Sequence, residues 1–224
     1  MIPIWDDTPR RSWPVITVLL IAANIAVFFF ELSLGGKLSS FIAVHGSVPE
    51  QVFSMLSDGR FASVAAMLLV SMFLHAGWLH LGGNMLYLWV FGDNVEDRFG
   101  HIVFLSFYIL GGMVSMLAHS FSEPLSTAPA IGASGAVAAV LGAYLVLFPR
   151  SRVTVIVPLF LFFTMQVSAV LVLGFWFVSQ VASGVLALSG AALAPVAWWA
   201  HIGGFVAGMV FGILLGGRGR PWRR

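Results

Sequence analysis

The run Val167-Ser-Ala-Val-Leu-Val-Leu-Gly-Phe-Trp-Phe-Val-Ser-Gln-Val-Ala-Ser-Gly-Val-Leu-Ala187 decides the class of fold. It lies within 65 consecutive residues, 153 to 217, that contain no Asp, Glu, Lys or Arg. A bilayer core takes about 20 apolar residues per helix, so this stretch holds two spans or, tightly packed, three. The small residues and proline of Leu188-Ser-Gly-Ala-Ala-Leu-Ala-Pro195 form a turn and favour two. One span covers about 167–187 and the other about 197–215. The preceding piece, Val153 to Met165 with Pro158 inside, is then a connector or an interfacial segment.

The same division works outward along the chain. Glu123 is the only charge between Arg98 and Arg150, and its Ser120-Phe-Ser-Glu-Pro124 turn separates spans over about 102–119 and 132–148. Upstream lie a span over about 15–30, a polar loop over 35–60 and a long apolar helix over about 64–91. The expectation is an all-α, six-helix membrane bundle over 15–216, between an N-terminal segment 1–14 and a basic tail 217–224. Composition agrees: 59% of residues are hydrophobic and 9% charged, whereas soluble domains carry about 25% charged residues. A net charge of +2 gives no reason to expect nucleic acid, and the absence of cysteine removes disulfides and thiolate chemistry. Six helices in three hairpins put Arg10, Arg11, Arg98, Arg150, Arg152, Arg218, Arg220, Arg223 and Arg224 on one side, against Lys37 and Arg60 on the other. By the positive-inside rule both termini are cytoplasmic. Phe28-Phe-Phe-Glu31 offers no small-residue cleavage site, so a removable signal peptide is not expected.

Polar side chains within spans are costly and mark function by default. The candidates are Asn24, His75, His80, Asn84, His119, Ser134, Gln166, Gln180 and His201. Asn24 reads as interhelical glue, Gln166 and Gln180 as caps or bridges, and His119 as a wet residue at a helix end. Ser134 stands apart in Ala130-Ile-Gly-Ala-Ser-Gly-Ala136, at the start of an apolar helix whose first-turn N–H groups lack intrahelical partners. Gly132 and Gly135 leave room for another chain to approach. Counted from Arg150 and Arg218, Ser134 and His201 both stand about 25 Å above the basic boundary at ~1.5 Å per residue. His80 and Asn84, counted from Arg98, bracket that level. They are i and i+4 and share a helix face; His75, five residues before His80, points elsewhere and reads as structural. Gly204 and Gly208 form a smooth small-residue face that brings the last helix, and with it His201, close to Ser134.

These motifs resemble the rhomboid family of intramembrane serine proteases. The resemblance rests on Phe73-Leu-His-Ala-Gly-Trp-Leu-His-Leu-Gly-Gly-Asn84, Val95-Glu-Asp-Arg-Phe-Gly100, Gly132-Ala-Ser-Gly135 and Ala200-His-Ile-Gly-Gly204, in that order, and extends from about Val15 to Leu215. It implies that Ser134 is the nucleophile and His201 the base. His80, Asn84 and the Ser134 N–H would hold the oxyanion. Two departures stand out. Ala138 occupies the position, four after the serine, where well-known bacterial relatives carry a tyrosine stacked beneath the base. The Trp-Arg pair of the first outer loop is missing from Asp58-Gly-Arg-Phe-Ala62.

The expected function is a serine endopeptidase that cleaves transmembrane or juxtamembrane segments of other membrane proteins, in the lipid bilayer of a bacterial inner membrane. No cofactor and no metal are implied, because no carboxylate shares the depth of the histidines. For the same reason the site is expected to work as a Ser-His dyad, with His201 held by packing across Gly204 and Gly208. Substrate would enter sideways past the fifth helix, whose Phe175, Trp176 and Phe177 are candidates for packing that must loosen. An inactive binding scaffold of the same fold would lose Ser134 or His201, and a transporter would spread charged residues through the depth.

Overall fold

The computed structural model describes residues 1–159, 161–188 and 196–216. The chain opens with strand β1 (Ile2–Asp6) and helix α1 (Val15–Ser33). The polar loop that follows contains a single 3-10 turn and two short helices, α2 (Leu38–His45) and α3 (Pro49–Ser57). Helices α4 (Phe61–Ser71), α5 (Trp78–Phe99), α6 (His101–Ser122) and α7 (Ser134–Leu147) come next. Strands β2 (Arg152–Leu159) and β3 (Leu161–Ser168) lead into α8 (Ala169–Leu188) and α9 (Trp198–Gly216). The expected turn 189–195 and the tail 217–224 lie outside the described residues.

Among the described residues four helices, α1, α6, α8 and α9, are long and apolar enough to cross a membrane. Large apolar side chains such as Leu19, Phe29, Leu110, Val178 and Ile213 stand exposed on them. In water these would be liabilities, whereas in a bilayer they face solvent of their own kind. The protein is a multi-pass integral membrane protein.

Helix α7 is the axis of the bundle. Every residue from Gly135 to Tyr144 is buried, with α5, α6, α8 and α9 around it. Its closest neighbour is α9, and the seam between them is backbone against backbone. A Cβ at Gly204 would strike the carbonyl of Gly135, one at Gly208 the carbonyl of Ala139, and one at Gly142 the carbonyl of Phe205. Without a hydrophobic effect between helices in lipid, such close approach is what dispersion attraction requires.

Two expectations need correction. The long apolar helix over 64–91 is two helices, broken between Ser71 and Trp78. Past Ser71 the ladder gives way to tight-turn bonds, Phe73 N to Val70 O (3.0 Å) and Leu74 N to Ser71 O (3.4 Å). The His75 N–H donates to the carboxylate of Glu31, at 3.1 and 3.2 Å. The chain is also not purely helical. Residues 152–168 form an antiparallel hairpin, pairing Arg152 with Ser168 and Val155 with Met165, and β1 joins it as a third strand. The reason is local: Val153-Thr-Val-Ile-Val157 is five β-branched residues in succession, which favour strand over helix.

The sheet sits at the end of the bundle that carries Arg98 and Arg150. Here Glu96 of α5 supplies the cap that Pro14 cannot, accepting from the N–H groups of Ile16 (2.9 Å) and Thr17 (2.7 Å) and from the Thr17 hydroxyl (2.7 Å). Asp6 of β1 is buried and accepts from Asn94 Nδ2 (2.9 Å) and from the Tyr144 hydroxyl. A cavity of about 200 Å³ beside Asp6, Arg10, Trp89 and Asp93 lies at this same end.

Candidate active site

Ser134 is the first residue of α7, and its approach is pinned on both sides. Ala130 and Ser47 exchange backbone hydrogen bonds (3.0 and 2.8 Å), and the Gly132 N–H donates to Ser71 O (2.9 Å). Gly132 takes φ +118°, a conformation that L side chains avoid. A Cβ there would also lie 2.6 Å from His80 Nε2. The glycine therefore serves twice, turning the chain into the helix and clearing a floor beneath His80. At the helix start the N–H groups of Ser134 and its successors have no partner within the helix and carry the positive end of its dipole.

His201, in the first turn of α9, places Nε2 2.8 Å from Ser134 Oγ. Its other nitrogen, Nδ1, is 2.7 Å from Oε1 of Gln180 on α8. The ring of Trp176, one turn earlier on α8, lies over the imidazole at 5.9 Å between centroids and 34° between planes. So α7 carries the hydroxyl, α9 the imidazole, and α8 the contacts on the imidazole's far side. A hydroxyl bonded to a neutral imidazole can attack a carbonyl while the ring takes its proton.

His80 and Asn84 face the same point from α5. Ala76 N–H lies 3.4 Å from His80 Nδ1, which makes that nitrogen the acceptor and leaves Nε2–H as a donor beside Gly132. Asn84 Nδ2 lies 3.1 Å from His75 Nε2, while His75 Nδ1 faces the carbonyl of Phe73 at 3.1 Å. A carbonyl can only accept, so His75 is protonated on Nδ1 and receives one amide hydrogen of Asn84 on Nε2. The second amide hydrogen remains for a ligand. Two neutral donors, one from each side chain, thus border the start of α7.

Ser134, His201, His80 and Asn84 meet at one place, and Gly132, Gly135, Gly204 and Gly208 all lie in its walls or in the seam below. Three other readings are corrected. His75 sits in the break before α5 and touches Asn84, since the count of five from His80 presumed an unbroken helix. His119 is buried at 6% exposure, with Nδ1 lacking a hydrogen-bond partner among the described residues. Gln180 is not a generic bridge but the partner of His201. Its spacing of four from Trp176, on the expected fifth helix, was the available signal. Asn24 bonds back to its own helix, at Leu20 O (2.7 Å), and Gln166 lies in β3, opposite Thr154. Among the described residues no group of three His, Cys, Asp or Glu could hold a metal ion.

A model of the Rhomboid domain matches residues 62–218. The mitochondrial Rhomboid protein 1 of Saccharomyces cerevisiae is 31% identical over 164 residues, 70% of this chain and 44% of that protein. Rhomboid protease GluP of Bacillus subtilis is 33% identical over 136 residues, 61% of this chain and 25% of its own. The human mitochondrial presenilin-associated rhomboid-like protein is 32% identical over 99 residues, covering 42% and 26%. The chain thus spans less than half the length of each of these relatives. The domain match takes in α5, α7 and α9, which bear the converging polar groups, and the chain belongs to the rhomboid family.

Proposed function

We propose that the protein is a serine endopeptidase working inside the membrane, with Ser134 as nucleophile and His201 as general base. The observation that carries this reading is the 2.8 Å contact between Ser134 Oγ and His201 Nε2 at the start of α7. In the first half-reaction Nε2 takes the hydroxyl proton while Oγ bonds to the scissile carbonyl carbon. The carbonyl oxygen becomes an oxyanion, facing His80 Nε2–H, the free Asn84 amide hydrogen and the backbone N–H of Ser134. Collapse breaks the C–N bond, and the imidazolium returns its proton to the leaving amine. Water then repeats the sequence on the acyl-serine, releasing the acid and restoring the Oγ–H.

The proposed substrates are membrane proteins with a transmembrane helix, cut within or just above the leaflet opposite the basic end. Six helices, α1 and α5 to α9, cross the bilayer in this reading. The basic residues clustered at the sheet end support cytoplasmic termini, and a bacterial inner membrane is the proposed location. The relatives include bacterial and mitochondrial proteins, so the same geometry would serve in either membrane.

A fluorophosphonate probe applied to membranes containing the protein tests the reading directly. Labelling is expected on Ser134 and should vanish in Ser134→Ala and His201→Ala, along with cleavage of a transmembrane substrate. A wild-type protein that neither labels nor cleaves, while folded, would leave a binding scaffold as the better description.

A further inference from the structure

We infer that Gln180 is the positioning residue of the site, a neutral third member that fixes the tautomer of His201; the inference rests on the peptidase reading above. No carboxylate approaches His201 among the described residues, yet its Nδ1 is not left to chance. The amide of Gln180 is oriented by its own helix. Gln180 Nε2 lies 3.3 Å from the carbonyl of Trp176 and 3.0 Å from Ser179 Oγ. The Trp176 carbonyl has no hydrogen to give, so the atom facing it is the NH2 group and the atom facing His201 is the oxygen. That oxygen, 2.7 Å from Nδ1, can only accept. His201 therefore carries its proton on Nδ1, and Nε2 is bare towards Ser134 Oγ, the form in which it can receive the hydroxyl proton.

A free imidazole divides between two tautomers, and one of them points an N–H at the serine and cannot act as base. An aspartate usually makes this choice in serine enzymes. Here an amide oxygen makes it without placing an ion at membrane depth, where a carboxylate is costly. Burial excludes water from competing for Nδ1, since Gln180 is 7% exposed. Trp176, on the same face of α8, restricts ring rotation about the axis that Gln180 leaves free. Both contacts come from α8, whereas the hydroxyl and the imidazole are mounted on α7 and α9. The base is thus completed by a helix outside the glycine seam.

Gln180→Leu removes the acceptor with little change in volume. Its turnover number for a transmembrane substrate is expected to fall by about 10²-fold, the scale of a misplaced reacting group, with KM nearly unchanged. Gln180→Glu keeps an acceptor at the same reach and should recover most of that loss. The tautomer can be read without turnover, from 15N spectra of histidine-labelled protein in detergent. Wild type should show His201 protonated on Nδ1, and Gln180→Leu a mixture. If Gln180→Leu keeps wild-type turnover, or if His201 carries its proton on Nε2 in the wild type, the inference fails. If instead the Nδ1–H form is present but the wild type does not label with fluorophosphonate, the peptidase reading fails and the tautomer assignment stands.

Discussion

A neutral donor is worth most when its own hydrogen bonds leave it one way to point. Asn84 spends one amide hydrogen on His75 and His80 spends Nδ1 on the Ala76 N–H, so each has one donor aimed at the start of α7. Asn84→Ala should lower the turnover number by about 10²-fold, the usual loss for one oxyanion donor, with His80→Ala similar. The double variant should lose less than the product of the two if they hold one oxygen. A rise in KM at constant turnover would make them substrate-binding residues instead. His75→Phe should reproduce part of the Asn84 loss without touching the reacting atoms, and wild-type turnover in that variant would break the chain of orientation. The convergence of Ser134, His201, His80 and Asn84 was legible in the sequence because helix rise turns residue counts into depth. The roles of His75 and Gln180 were not legible. One depends on a helix break fixed by a distant carboxylate on α1, which leaves no periodic trace. The other shows only in the spacing of four between Trp176 and Gln180, which does not say that this face of α8 turns to His201.

At the scale of the element, α7 and α9 meet backbone to backbone, whereas α8 meets α9 through side chains such as Trp176 and Phe177. Gly208→Ala would push a Cβ into the Ala139 carbonyl, and backbone cannot step aside as a side chain can. A cost of about 1–3 kcal/mol in stability is expected for such overpacking, with activity lost in proportion. An unchanged melting temperature would show that the seam has slack. On α8 the three aromatic residues separate by contact. Phe175 is exposed, Phe177 stacks on Phe205 of α9 at 4.6 Å between centroids, and Trp176 covers His201. Phe177→Ala should loosen α8 and speed cleavage of a transmembrane substrate, leaving a short soluble peptide unaffected. Trp176→Ala should slow both. If Phe177→Ala slows the transmembrane substrate in a stable protein, lateral entry uses another face. The hairpin shows how a pattern can be present and overruled. The β-branched run at 153–157 signals a strand, but the neighbouring spans and Pro158 suggested a connector, and the partner strand β1 lies about 150 residues away in the chain.

For the whole molecule, the sheet end and the end that carries Ser134 and His201 answer to different conditions. Burial raises the pKa of Asp6 in β1, and hydrogen bonds from Tyr144, Thr8 and Asn94 offset the shift only in part. A carboxyl whose folded pKa is raised binds its proton more tightly folded than unfolded. Its contribution to stability is full below the unfolded value of about 3.9 and is lost as pH rises through the raised value. Attachment of the sheet should therefore weaken over that interval, and Asp6→Asn should flatten the dependence. Thermal unfolding in detergent across the acid range tests this, and equal slopes in the two proteins would refute it. The glycine seam has a consequence beyond stability. Where Gly142, Gly204 and Gly208 meet backbone carbonyls, the seam has no flexible side chain to give way, so a change in lateral pressure or bilayer thickness should move α8 before it alters the spacing of Ser134 and His201. In the proposed peptidase, lipid composition would then tune the rate through the orientation of the imidazole, while the contact between Ser134 and His201 keeps its length.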